Sequence, residues 1–132
     1  MVISVPHKIY LDKSPVHGWG VFATKPIIEN EIIEICPIID MGIKRGESSP
    51  ILIDYRFNWP QGTADFEKQV ICSGYGMMYN HNEIPNAAWR SNLENNTFEF
   101  YALKNIRQQE EIFVWYGDTN YWNDGRTHTL VI

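Results

Sequence analysis

The chain has 132 residues, a formal net charge of −5 and 44% hydrophobic residues, enough for one domain around one core. That charge argues against a nucleic-acid reader, which needs a basic face. No apolar run reaches the roughly 20 residues of a membrane span. The opening Met1-Val2-Ile3-Ser4-Val5-Pro6 lacks the charged head and long apolar stretch of a secretory leader, so an intracellular protein is expected. Cys36 and Cys72 are too few for a disulfide framework or a zinc cage and are expected as small buried apolar side chains in a reducing compartment.

Taken in order, Ile9-Tyr10-Leu11 predicts the first strand and Ser14 to Gly18 a turn. Trp19 to Thr24 follows as a strand entered through two glycines, and Ile32-Ile33-Glu34-Ile35-Cys36 as another. Asp40 to Pro50 is polar and reads as a surface loop. Ile51 to Phe57 is a strand candidate, ended by Asn58-Trp59-Pro60-Gln61-Gly62. Residues 63 to 72 suit a short helical turn capped by Thr63 or Asp65. Ala87 to Arg90 and Thr97 to Leu103 predict two strands around an Asn95-Asn96 hairpin turn. Short strands and frequent turns indicate a mainly β protein with little helix.

Two stretches stand apart. Met78-Tyr79-Asn80-His81-Asn82-Glu83-Ile84-Pro85-Asn86 is too polar for a core strand, yet it follows Tyr75, Met77 and Met78. Polar turn residues driven against such a run indicate a loop drawn into the interior, where each buried polar group must find a partner. Such a loop is a ligand site or a tight backbone crossing. About thirty residues on, Ile112-Phe113-Val114-Trp115-Tyr116 reads as a strand halted by Gly117-Asp118.

Asn80-His81 followed by Pro85-Asn86 resembles the N-H-x-x-x-P-N motif of SET-domain lysine methyltransferases. Glu110-Glu111-Ile112 through Tyr116-Gly117 resembles that family's second motif, and Gly18-Trp19-Gly20-Val21-Phe22-Ala23 its N-terminal G-x-G motif. The three occur in the family's order over nearly the whole chain. Its length and the Asp118 to Trp122 tail look closest to the minimal viral-type SET proteins and their bacterial relatives. The resemblance implies one SET domain over residues 1–132, with a variable insert about 40–76 and a short tail at 118–132. Its fold would be several small sheets, with the Asn80 segment threaded beneath the C-terminal segment as a pseudoknot.

By the same resemblance, the chain would move a methyl group from S-adenosyl-L-methionine to a lysine amine, leaving S-adenosyl-L-homocysteine. Tyr116 matches the essential tyrosine of the site, and Tyr55 a channel tyrosine at the lysine end. Gly18, Trp19, Gly20, Tyr79, Asn80 and His81 would contact the cofactor, mainly through backbone groups, with Trp122 stacking on adenine. Val114 and Trp115 would line the substrate channel. Trp115 stands where the family often has aspartate, Asn82 where it has serine, and Val114 where it often has Phe or Tyr. A tyrosine there limits methylation by holding a water, so Val114 implies more than one methyl added. No metal role is expected, since His7, His17 and His128 lack paired ligand spacing.

Plainer readings stand beside these. Tyr116 is also an ordinary strand-end tyrosine, Asn80 a turn residue, His81 a core histidine, Gly18 and Gly20 a tight strand entry, and Trp122 simple tail packing. The expected partner is a lysine-containing basic protein, histone or histone-like, met in the cytoplasm if bacterial or on chromatin if viral or eukaryotic. No direct nucleic-acid or membrane contact is expected. The Leu130-Val131-Ile132 end fits a homodimer. A non-catalytic module that kept the fold and lost turnover is the alternative function.

Overall fold

The computed structural model describes residues 2–42, 55–62 and 68–116. Nine short strands run through them: β1 (Ile9–Lys13), β2 (Trp19–Ala23), β3 (Ile32–Asp40), β4 (Phe57–Trp59), β5 (Lys68–Cys72), β6 (Asn80–His81), β7 (Ala87–Asn92), β8 (Thr97–Ala102) and β9 (Glu111–Val114). The chain is mainly β as expected, and among the described residues only Tyr55 is helical, where a strand was expected. Nor do they include a helix long and apolar enough to cross a membrane.

One sheet has five strands in the order β4-β5-β3-β8-β7, the other four in the order β1-β2-β9-β6. β8 is the spine of the larger sheet. Thr97, Phe98, Phe100 and Ala102 are buried along it, and its two flanks pair with β3 and β7. Full burial of an aromatic such as Phe98 or Phe100 stabilises by about 1.5–3 kcal/mol. The β7–β8 hairpin turns on Asn96, whose φ of 55° is left-handed, a conformation asparagine tolerates because its amide bonds locally.

Several expectations need correction. β3 runs on to Asp40 because its second half pairs with β5 through Ile38↔Cys72 and Asp40↔Val70. Residues 51–54 of the expected strand from Ile51 to Phe57 lie outside the described residues. Asn58 and Trp59, expected to end that strand, belong to β4. Trp59 packs on Phe98 at 5.2 Å between ring centroids, and β5 supplies the hydrogen-bonding edge. The helical turn expected at 63 to 72 is not helical over its described part. Thr63 and Asp65 lie outside the described residues, while Lys68–Cys72 is a strand that buries Val70 and Cys72 on alternate positions.

Asn80-His81 is not a loop but a two-residue strand, parallel to β9 through Asn80↔Phe113 and His81↔Val114. Polarity hid it, because both side chains are buried and satisfied by named partners rather than by water. β9 therefore lies between β2, antiparallel to it, and β6, parallel to it. It ends at Val114, so Trp115 and Tyr116 stand beyond the sheet rather than in it. The pseudoknot threading would involve residues from 117 onward. These lie outside the described residues, as do Gly117, Trp122 and the Leu130-Val131-Ile132 end.

Candidate active site

Asn86 fastens β9 beside β6. Its Oδ1 accepts the Phe113 N–H at 2.7 Å, and its Nδ2 donates to the Glu111 carbonyl at 3.0 Å. One side-chain amide thus imitates a strand across the gap left by the turn at Asn82 to Pro85. The backbone adds bonds from Asn82 N–H to the Val114 carbonyl and from Asn86 N–H to the Phe113 carbonyl.

Asn80 fastens the glycine turn. Its Nδ2 faces three acceptors: the carbonyls of His17 at 2.9 Å and Trp19 at 3.2 Å, and Glu111 Oε2 at 3.0 Å. The amide nitrogen is thus engaged inside the protein. Glu111 also accepts the Ser14 hydroxyl at 2.8 Å, and that hydroxyl oxygen in turn accepts the Val16 N–H. One buried carboxylate ties the turn before β2, the start of β6 and the start of β9 together. Gly20 is needed for this reason first. A Cβ there would collide with the Glu111 carboxylate and lie 3.1 Å from Ser14 Cβ. Gly18 needs its φ of 49°, and a Cβ there would meet nothing within 4 Å. Trp19 between them is 54% exposed, leaving its indole free of the core.

His81 and Tyr79 place Tyr116. The Tyr116 N–H donates to His81 Nδ1 at 2.8 Å, so the ring proton sits on Nε2, which faces Glu83 Oε1 at 3.2 Å. The Tyr116 hydroxyl donates to the Tyr79 carbonyl at 2.6 Å. Main chain and phenol of Tyr116 are thus held at two points by consecutive parts of one segment. With its proton committed to a carbonyl, the phenol oxygen offers lone pairs to what lies in front of it.

In front of it is a cavity of about 530 Å³. Tyr116, Trp115, Val114 and Tyr79 form one wall, and Tyr55, Phe57, Met77 and Trp89 are among the residues around the rest. Tyr55 and Tyr116 both line this cavity, as do Val114 and Trp115. Val114 is buried there, whereas Trp115 is 47% exposed at the rim. Gly18, Trp19, Gly20, Asn80 and His81 are not among the lining residues. They lie behind the wall, so Tyr79 and Tyr116 stand between two distinct faces.

Trp89, Glu34 and the tying roles of Glu111 and Asn86 are not legible in the sequence. Trp89 was read only as a strand residue. It packs edge-on against Phe57 at 5.2 Å and lines the cavity. The signal for Glu34 and Glu111 was a charged residue inside an apolar strand, which in a buried strand calls for a partner. Glu34 is buried, accepts the Tyr79 hydroxyl and the Tyr75 N–H at 2.8 Å each, and burial raises its carboxyl above the usual carboxylate value. Both cysteines are buried and free, as expected. The Cys72 thiol beside it, together with burial, pushes the Cys36 thiol up.

The class defined by this arrangement is a small β protein that pins a tyrosine between a glycine turn and an aromatic cavity. The SET domain family model matches residues 18–117, which span all three motifs. The chain belongs to the SET-domain family of protein-lysine methyltransferases. It is 34% identical over 110 residues to a Schizosaccharomyces pombe histone-lysine N-methyltransferase specific for H3 lysine-37, covering 81% of this chain and 71% of that protein. A crystal structure of a Plasmodium falciparum protein, named as a candidate histone methyltransferase, superposes with a TM-score of 0.70 at 37% identity. That match covers 88% of this chain and 97% of that one. A chain of a humanized Chaetomium thermophilum Polycomb Repressive Complex 2 gives 0.64 at 22% identity, over 83% of this chain and 15% of that one. At that identity the likeness shows the fold alone.

Proposed function

We propose that this SET-domain lysine methyltransferase takes S-adenosylmethionine on the Trp19 and Asn80 face. It takes a lysine of a histone H3 tail, or of a similarly basic protein, through the aromatic cavity. SET methyltransferases use S-adenosylmethionine, which supplies a methyl carbon on a sulfonium for in-line displacement. The local chemistry suits that group. Open space surrounds Gly18, the Trp19 indole is exposed, and the side chains of Asn80 and Glu111 are spent on holding the turn, leaving backbone groups to meet the ligand. Trp122, outside the described residues, would add an aromatic face.

The observation that carries this reading is the Tyr116 hydroxyl held at 2.6 Å on the Tyr79 carbonyl. A phenol so fixed faces the cavity as an acceptor. It accepts from a lysine amine and makes weak C–H···O contacts with a polarised methyl. A lysine amine has a reference pKa of about 10.4 and must lose its proton before it attacks. The walls of Phe57, Trp89, Met77 and Val114 offer little solvation to a cation, so entry favours the neutral amine. Alignment then supplies much of the acceleration. Val114 has no hydroxyl, and the Tyr79 hydroxyl is turned to Glu34, so neither holds a water against a second transfer.

Two features support a basic substrate: the protein's net charge of −5 and the H3-specific name of the yeast relative. Such a substrate places the enzyme's action inside the cell, on chromatin if the host is eukaryotic. The test is methyl transfer from labelled S-adenosylmethionine to purified histone H3, with mass spectrometry of the product and calorimetry with S-adenosylhomocysteine in parallel. Labelled lysine on H3 supports the reading. Cofactor binding without transfer to H3 or any other basic protein overturns it in favour of a binding module.

A further inference from the structure

Glu34 is the buried acidic group that the chemistry above leaves unused. It sits on β3, 4% exposed, in a strand whose neighbours Ile33 and Cys36 are core. Burying a carboxylate is costly unless its oxygens are satisfied. Here Oε1 accepts the Tyr79 hydroxyl and Oε2 the Tyr75 N–H, each at 2.8 Å. Space for Oε2 exists only because residue 74 is glycine, since a Cβ there would lie 2.5 Å from it. Both bonds hold the segment Tyr75 to Tyr79, whose Gly76, Met77 and Tyr79 line the cavity and whose last carbonyl receives the Tyr116 hydroxyl.

Tyr79 is thus gripped at two points. Its phenol is tied to Glu34, and its ring stacks on Phe100 with centroids 4.5 Å apart and planes 14° from parallel. Its carbonyl faces the other way, toward Tyr116. Glu34 holds this segment's backbone at the Tyr75 N–H and its far end through the Tyr79 side chain, so loss of either bond loosens the main chain that carries the carbonyl receiving Tyr116.

We propose that Glu34 is a positioning residue for methyl transfer, acting through the Tyr79 hydroxyl to fix the carbonyl that orients the Tyr116 phenol. It touches neither substrate nor cofactor. The inference rests on Tyr116 being the reacting tyrosine, so its test needs a readout that does not depend on turnover.

Three variants separate the link from mere structure. Tyr79→Phe removes the donor and keeps the ring stack. Glu34→Leu removes both acceptors. Glu34→Gln keeps one acceptor for the Tyr75 N–H and offers an N–H to a Tyr79 hydroxyl that can turn to accept. The expected result is a fall in kcat of about 10- to 100-fold for Tyr79→Phe, the scale set by small misplacements in a reacting site. KM for peptide and S-adenosylhomocysteine affinity stay at wild-type values. Glu34→Leu falls similarly and adds little to Tyr79→Phe in the double variant, because coupled groups are not additive. Glu34→Gln recovers most of the rate.

The independent readout is fluorotyrosine placed at position 116 alone, observed by fluorine NMR. Its resonance shifts in Tyr79→Phe and Glu34→Leu and stays put in Glu34→Gln. A shifted resonance in a protein that transfers no methyl would keep the positioning and discard the reaction. A wild-type rate and unmoved resonance in Tyr79→Phe, which spares the folding risk of Glu34→Leu, overturns the proposal. So does a fully additive loss in the double variant.

Discussion

The two faces behind and before Tyr116 are built on opposite terms. Behind it, Ser14, Asn80, Glu111 and the Gly18–Gly20 turn form a polar knot in which each named side chain answers another. Before it, Phe57, Met77, Trp89, Val114 and Trp115 give the cavity a mainly apolar lining, to which Arg56, Asn58, Gln61 and Glu83 add polar groups. The polar face is over-determined, so changes there cost stability and shape together. The apolar face is determined by packing, so changes there alter what fits. The proposed assignment puts the constant ligand on the first kind of surface and the variable protein side chain on the second.

The comparison breaks most visibly at the residue between the faces. Tyr116→Phe loses the hydroxyl that spans to Tyr79 and should cut methyl transfer by about 10²-fold or more, while S-adenosylhomocysteine still binds. Calorimetry beside a rate assay reads both. Loss of binding together with rate would merge the two faces into one.

Gly20→Ala attacks the polar face. A methyl there must displace the Glu111 carboxylate, which holds Ser14 and Asn80. The expected cost is about 1–3 kcal/mol of stability with weakened cofactor binding. Denaturant unfolding and calorimetry measure the two, and Gly18→Ala, with open space at its Cβ, should cost only the strain of its positive φ.

Glu34 gives a pH signature. Burial raises its folded carboxyl above the ordinary value of 4.5. Such a group contributes stability fully below the unfolded pKa and loses it as pH rises through the folded pKa. Glu99 runs the other way. The Arg90 guanidinium holds its carboxyl low, so its contribution is present above 4.5 and fades as pH falls through the lowered value. Glu34→Gln should therefore flatten the fall in melting temperature above pH 4.5 and leave the acid limb unchanged. An unchanged alkaline side of the profile would contradict this.

The smallest effect is in product rather than rate. Wild-type enzyme should reach di- or trimethyl-lysine at long times, and Val114→Tyr should stop it earlier with a modest change in the first transfer. Mass spectrometry showing only monomethyl product from the wild type would refute the role given to Val114.

How much of this was legible follows the same division. β1, β2, β7, β8 and the Asn96 turn could be read because alternation and turn chemistry are local. β4, β5 and β6 could not. Phe57-Asn58-Trp59 borrows its strand character from the Phe98 ring and the β5 edge, and Asn80-His81 from partners thirty residues away. In the site, Tyr116 and the Asn80-His81 pair stand out by their motifs, whereas the cavity that Tyr55 and Tyr116 both line is built from segments far apart in the chain. The motif suggested that Asn80 would assist the cofactor and that Gly20 would admit it closely. The contacts show both serving the protein's own knot first. Trp89, Glu34 and the tying role of Glu111 went unread because their partners come from other segments, and spacing along one strand carries no trace of them.

The parallel pairing of β6 with β9 has a consequence in time. His81 meets Val114 only after every intervening residue has been made, and long-range pairings of this kind form late because chain closure must precede the contact. A ribosome-bound chain that stops short of Glu111 can build the β7–β8 hairpin but has nothing to lay beside Asn80. The enzyme would therefore be born silent, gaining the tyrosine proposed to react and the strand that orders its site in the same closing event.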